Sequence, residues 1–180
     1  MYVITDENMN NDGLWEIGIK RSGFAYASPE LAVLSTPIYE EFEHFRIFEA
    51  LGEMNHPIRS SGEFTLLRET YVPYYTPNQC QWFAIQCALA VCDNPMFVSW
   101  AENWIDGTDR SFKTAQAVSE KLWTDSAASA SYTAAAHAAD VAHVAYAAVW
   151  AAHATPSINF TDIAIAALSF DLKEFVEIDF

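Results

Sequence analysis

Two imidazoles and a carboxylate at three-residue spacing, His137-x-x-Asp140-x-x-His143, are the side chains here whose types suit metal chemistry, because such nitrogen and oxygen donors form common ligand sets. On one continuous helix this spacing spreads the two histidines through about 120° of arc. Ligands carried by one helix prefer positions three or four apart, as in the i, i+3 pairs of di-iron bundles. Asp140 and His143 make one such pair, and a di-metal centre would need further carboxylates from other helices, with Glu102 and Glu120 at hand. His137, Asp140 and His143 are therefore metal candidates for which side-chain packing is the preferred explanation. No cofactor is expected.

Catalysis by the other reactive groups is disfavoured in the same way. His143 and His153 have the chemistry of general bases, but a histidine among Tyr and Trp is more often a core residue with satisfied ring nitrogens. Cys80, Cys87 and Cys92 form an odd set within thirteen residues, which reads as reduced, buried thiols rather than a disulfide framework. An activated thiolate needs an electropositive setting, and Arg110, Lys113 and Lys121 are the cations of that region. The chain shows no phosphate-binding glycine loop, zinc-ligand spacing or serine nucleophile elbow. A non-enzyme is expected, with a metal- or small-molecule-dependent enzyme built on the histidine-rich helix as the rival.

Charge is the strongest global signal. The 180 residues carry 24 acidic and nine basic side chains, a formal net charge of −15. That balance argues against binding a nucleic-acid backbone and for a basic protein partner, such as a nuclease or a nucleic-acid-binding complex. A solubilised surface, adaptation to high salt and imitation of a polyanion would all produce it. The expected partner-binding set is Glu40, Glu41, Glu43, Glu49 and Glu53 on an expected helix, with Asp171, Glu174, Glu177 and Asp179 on the tail. Apolar runs are broken well before the roughly 18 residues of a membrane span, and Met1–Asn10 lacks the features of a secretory leader. A cytoplasmic protein with no membrane contact is expected.

The elements that must position these groups fall into two regions, 1–75 with mixed strand and helix signals and 76–180 with helical ones, which could still form one compact domain. Alternation over Leu14–Lys20 and Phe24–Ala27 about Arg21-Ser22-Gly23 predicts a hairpin. Thr36-Pro37 predicts a helix start, with Ile38, Phe42, Phe45, Phe48 and Leu51 on one face and Gly52 as its stop. Glu63–Tyr71 reads as a third strand. Tyr71–Pro77, rich in tyrosine and proline, is the candidate boundary. Beyond it, helices are expected over Pro77–Cys92, from Asn94-Pro95 through Ile105, from Thr108 or Asp109 to Trp123, and over Thr161–Phe170. The tail Asp171–Phe180 reads as a strand or an acidic arm.

Between Ala127 and Ala154, fifteen of twenty-eight residues are alanine, which predicts one long helix opened by Thr124-Asp125-Ser126 and ended by Thr155-Pro156. Stepping 100° per residue puts Tyr132, His143, Tyr146, Trp150 and His153 on one face, and His137, Val141 and Val144 near the opposite side. The bulky face is expected to pack on Trp82, Phe83, Trp100, Trp104 and Trp123. The expected fold is thus mainly α (α+β): an N-terminal hairpin and helix, then an antiparallel bundle round this long helix.

Cys87-Ala88-Leu89-Ala90-Val91-Cys92, Trp100-Ala101-Glu102-Asn103-Trp104 and Ala134–Ala154 together resemble the immunity proteins of bacterial polymorphic toxin systems, over residues 80–155. The resemblance implies a binding protein that blocks a partner, and it transfers no site residues. The expected function is a non-enzymatic protein-interaction inhibitor, either an immunity protein or a phage-encoded, anti-CRISPR-like anti-defence protein. The rivals are the enzyme named above and an oligomeric structural subunit.

Overall fold

A computed structural model of the chain describes residues 1–6, 17, 18, 20–36, 45–126, 130–140 and 143–170. Four strands, β1 (Tyr2–Asp6), β2 (Lys20–Tyr26), β3 (Phe45–Gly52) and β4 (Arg59–Thr70), close a small antiparallel barrel in the order β1-β2-β4-β3. A short helix, α1 (Pro29–Leu34), follows β2, capped by Ser28, whose Oγ accepts from the Leu31 N–H at 3.2 Å. Six helices succeed the barrel: α2 (Pro77–Leu89), α3 (Pro95–Asp106), α4 (Phe112–Ser126), α5 (Ala130–Ala139), α6 (Val144–Ala154) and α7 (Phe160–Leu168).

A closed barrel corrects the expected fold class, because a hairpin-and-helix start to a helical bundle does not describe residues 1–75. The difference begins at the expected hairpin. Arg21-Ser22-Gly23 is not a turn: β2 runs straight through it, with Gly23 opposite Gly62 of β4. A Cβ on Gly23 would lie 3.4 Å from the Phe64 ring, so the glycine marks a close approach within a sheet rather than a reversal. Of the first strand expected for the hairpin, Leu14–Lys20, residues 14–16 and 19 lie outside the described residues, and Lys20 already belongs to β2.

The helix expected from Thr36-Pro37 to Leu51 is likewise corrected over its described part, which is strand β3. Phe48 and Ala50 point into the barrel interior while Ile47 joins the helical core, the two-residue alternation of a strand. Leu51, expected on the buried helix face, is 67% exposed. The every-third-residue pattern of Phe45, Phe48 and Leu51 imitated a helix because β3 carries apolar side chains on both faces, Ile47 toward the helical core and Phe48 toward the barrel, with Leu51 left exposed. Thr36 instead follows α1, where its hydroxyl donates to the Ala32 carbonyl.

The helical half keeps most of its expected punctuation. Thr76 and Gln79 form a reciprocal capping box ahead of α2, and Asn94 Oδ1 accepts from the N–H groups of Met96 and Phe97 to start α3. Gly107, at φ 86°, ends α3 in the left-handed region that favours glycine. Thr124-Asp125-Ser126, expected to start the alanine helix, is the last turn of α4, with Thr124 Oγ1 donating to the Lys121 carbonyl at 2.9 Å.

The long alanine helix is in fact two helices. Its continuity fails at Asp140–His143, where the His143 N–H bonds the Asp140 carbonyl at 2.9 Å and His143 takes φ −120° and ψ 18°, outside the helical region. Asp140 Oδ2 holds His143 Nδ1 at 2.8 Å across the break, a local side-chain bond of the kind that competes with helix. Trp150 then lies 6.3 Å from His137, whereas thirteen residues of continuous helix would separate them by about 20 Å. The chain has folded back on itself.

Alanine makes that return possible at close range. Ala134, Ala135, Ala136, Ala138 and Ala139 of α5 and Ala147, Ala148, Ala151 and Ala152 of α6 are all buried. They share one core with Phe83, Ala84, Ile85 and Ala88 of α2, Phe97 and Trp100 of α3, and Ala164 and Ala167 of α7. Tyr26, Ile47 and Ile58 of the barrel side belong to the same core, while Val3, Ala25, Phe48, Ala50, Phe64 and Leu66 fill the barrel itself. Among the described residues no helix is long and apolar enough to cross a membrane.

Candidate functional site

The turn between α5 and α6 brings together residues that the helical wheel had placed on opposite sides. His137 sits at the centre: its ring lies 5.3 Å from Trp123 edge-on, 5.7 Å from His143, 5.7 Å from Tyr146 and 6.3 Å from Trp150 in near-parallel stacking. Burial holds the His137 imidazole below the usual histidine range, with repulsion from His143 adding to it and Asp140 opposing. His137 Nδ1 is buried without a hydrogen-bond partner. A cationic His137 is thus disfavoured, and the ring serves as one more aromatic plate.

The array continues toward the barrel. Trp150 meets His153 at 5.8 Å, and His153 meets His56, in the loop between β3 and β4, at 5.0 Å. His56 Nδ1 accepts from the N–H groups of Ile58 and Arg59 at 3.3 and 3.4 Å, which requires an unprotonated Nδ1. Burial, then the nearby His153 and Arg59, lower the His56 pKa. His153 Nδ1 is 2.7 Å from the Val149 carbonyl and donates to it.

Beside this array, α4 and the end of α5 enclose an open groove of about 260 Å³. Phe112, Gln116, Ser119, Glu120 and Trp123 line it from one face of α4, and Ala139 and Asp140 complete it. Phe112 is 63% exposed and Trp123, Tyr146 and Trp150 each close to two-fifths, so aromatic surface is offered to the outside here. Gln116 Nε2 donates to Glu120 Oε1 at 2.9 Å. Ser119 is buried and its hydroxyl donates to the Ala136 carbonyl at 3.2 Å, tying the floor of the groove to α5.

The sequence-derived candidates distribute unevenly. Glu40, Glu41, Glu43, Asp171, Glu174, Glu177 and Asp179 lie outside the described residues. Glu49 is on a strand and not a helix, and its two oxygens take the Arg68 guanidinium at 2.7 and 2.8 Å. Glu53 is exposed just beyond β3. Of the carboxylates considered for metal binding, Glu120 shares the groove with Asp140, whereas Glu102 is on the exposed side of α3. Among the described residues no three His, Cys, Asp or Glu side chains converge to hold a metal ion.

The three thiols are buried and free. Burial pushes Cys80 up to about 12, Cys87 well above its ordinary value, and Cys92 upward, which opposes thiolate formation. Of the aromatic residues expected beneath the alanine helix, Trp123 does meet it through His137, while Trp82 stacks on Phe170 at 5.1 Å and Trp100 packs on Phe97 at 5.7 Å. Sequence reasoning missed Phe112 and Gln116. The signal was there in the α4 spacing, which sets Phe112, Gln116, Glu120 and Trp123 on one face with aromatic ends and a polar middle.

No known protein family, characterised relative or solved structure matches this chain.

Proposed function

We propose that the chain is a non-enzymatic, acidic inhibitor that works by binding a basic protein in the cytoplasm. Two forms of this reading share one chemistry: an immunity protein that neutralises a toxin, or a phage-encoded anti-defence protein that covers the nucleic-acid-binding surface of its target. The observation that carries it is the pairing of charge with exposed aromatic surface on the helices. Interfaces draw most of their binding energy from buried Trp, Tyr and Arg anchors, and complementary charge steers the partners together.

Carboxylates of the helical half and its connections support this role. Asp106 accepts from the Thr108 N–H, Asp109 from the Ser111 N–H and the Thr114 hydroxyl, Glu120 from Gln116, and Asp162 from Asn159. Neutral donors orient these groups without cancelling their charge. A basic partner can cancel it.

The test is co-purification from host lysate followed by binding measured across salt. A basic protein should be recovered, its own activity should fall on binding, and affinity should weaken steeply between about 50 and about 500 mM salt. Recovery of no basic protein, or affinity indifferent to salt, removes the reading.

A further inference from the structure

We infer that the groove between α4 and the end of α5 is a socket for one arginine side chain of the partner. This rests on the reading above and narrows it from an acidic surface to a defined pocket. Trp123 and Phe112 supply aromatic ends, Glu120 supplies a carboxylate from α4, and Asp140 supplies one from the turn that follows α5. Each carboxylate is oriented by a neighbour, Glu120 by Gln116 Nε2 at 2.9 Å and Asp140 by His143 Nδ1 at 2.8 Å. The floor offers Ala139 and a Ser119 hydroxyl already committed to Ala136.

An occupant must therefore be cationic, to meet two carboxylates, and partly planar and weakly hydrated, to lie on an indole. Guanidinium satisfies both conditions better than ammonium, since it stacks on aromatic faces and offers donors in a planar fork. An anionic group would face two like charges. The chain already uses this contact internally: the guanidinium of Arg110 lies 4.7 Å from the Trp104 ring centre and that of Arg59 lies 4.4 Å from the Phe24 centre. Lys113 and Lys121 also lie on α4, at positions that do not line the groove.

Hexa-arginine peptide is the probe, titrated into the full chain while the indole N–H resonances of all six tryptophans are followed by NMR. A Trp123→Phe variant identifies the Trp123 signal. The socket predicts a saturable shift of that signal, binding weakened on the order of tenfold in the Glu120→Gln/Asp140→Asn double variant, and near-unchanged binding in Asp93→Asn, an exposed carboxylate away from the groove. Hexa-lysine should bind more weakly than hexa-arginine at equal salt. Circular dichroism of the double variant checks that its fold is kept, and Glu120→Gln alone, which removes an exposed carboxylate, supplies the same comparison if it is not. If hexa-arginine binds while the Trp123 signal stays put and the variants bind alike, the socket is overturned and the general acidic-surface reading survives. If hexa-arginine does not bind at all, both fall. A Trp123 shift that depends on protein concentration without peptide would assign the groove to a second copy of the chain and overturn the proposal.

Discussion

The barrel and the helices handle acidic charge in opposite ways. On the barrel, carboxylates face basic side chains across neighbouring strands: Glu63 pairs with Lys20, Glu69 with Arg46 at 2.6 Å, and Glu49 with Arg68 at 2.7 Å. In the helical half, Asp106, Asp109, Glu120 and Asp162 are held by hydroxyls, amides and backbone N–H groups, with Arg110 adding a minor attraction at Asp106 and Asp140 meeting the His143 ring. The same contrast holds for aromatic groups. Phe48 and Phe64 fill the barrel and the exposed Phe24 lies under the Arg59 guanidinium, whereas Phe112, Trp123, Tyr146 and Trp150 crowd one side of the helical half and stay partly exposed. Charge that is matched within the fold contributes little to a partner. Net charge alone therefore overstates how acidic the barrel looks to one.

The largest effect that could break this comparison concerns whether the two regions are mechanically separate. Phe83→Ala in the helical core should destabilise the chain by about 3–5 kcal/mol, as should Phe64→Ala in the barrel. Because Tyr26, Ile47 and Ile58 belong to the helical core, both variants should shift one shared unfolding transition, followed by near-ultraviolet circular dichroism in urea. Two separated transitions would show that barrel and helices unfold independently.

A smaller effect comes from the histidines that join the regions. His56 and His137 both have folded pKa values below their ordinary value, so the folded state binds fewer protons than the unfolded state. Their contribution is fully present above the unfolded histidine pKa of about 6.5 and is lost as pH falls below it. Urea midpoints should therefore drop between about pH 7.5 and pH 5, and His137→Phe should reduce that drop. An unchanged pH slope in the variant would show that His137 binds a proton as readily in the fold as in the unfolded chain.

The smallest effect tests the barrel pairs. Arg46→Gln should lower stability by less than about 1 kcal/mol, because the Arg46–Glu69 pair is exposed to water, while making the barrel surface more acidic. Affinity for a basic partner that docks on the helices should be nearly unaffected. A clear gain in affinity would move the contact surface to the barrel.

Local chemistry was legible in the sequence and long-range pairing was not. Pro77, Asn94-Pro95, Gly107 and Thr155-Pro156 mark helix ends through rules that act within four residues, and the helices end within a few residues of those marks. The same rule could have found α1 from Ser28-Pro29. Barrel closure instead depends on Tyr2–Asp6 meeting Phe45–Glu49, partners 39 to 47 residues apart in sequence that no local pattern encodes. The candidate site failed for a related reason. Glu120 and Asp140 were visible as acids, but placing His137, Tyr146 and Trp150 by angle assumed a continuous helix, and the break at Asp140–His143 reset the angles.

That break also orders events in time. Helices α5 and α6 meet across only four intervening residues, so their docking costs little chain entropy and can proceed within the local segment. The barrel must close a loop of roughly forty residues before β1 and β3 reward each other. During refolding, amide protection should therefore arise in α5 and α6 before it arises in β1, giving the helical face its shape while the barrel is still open.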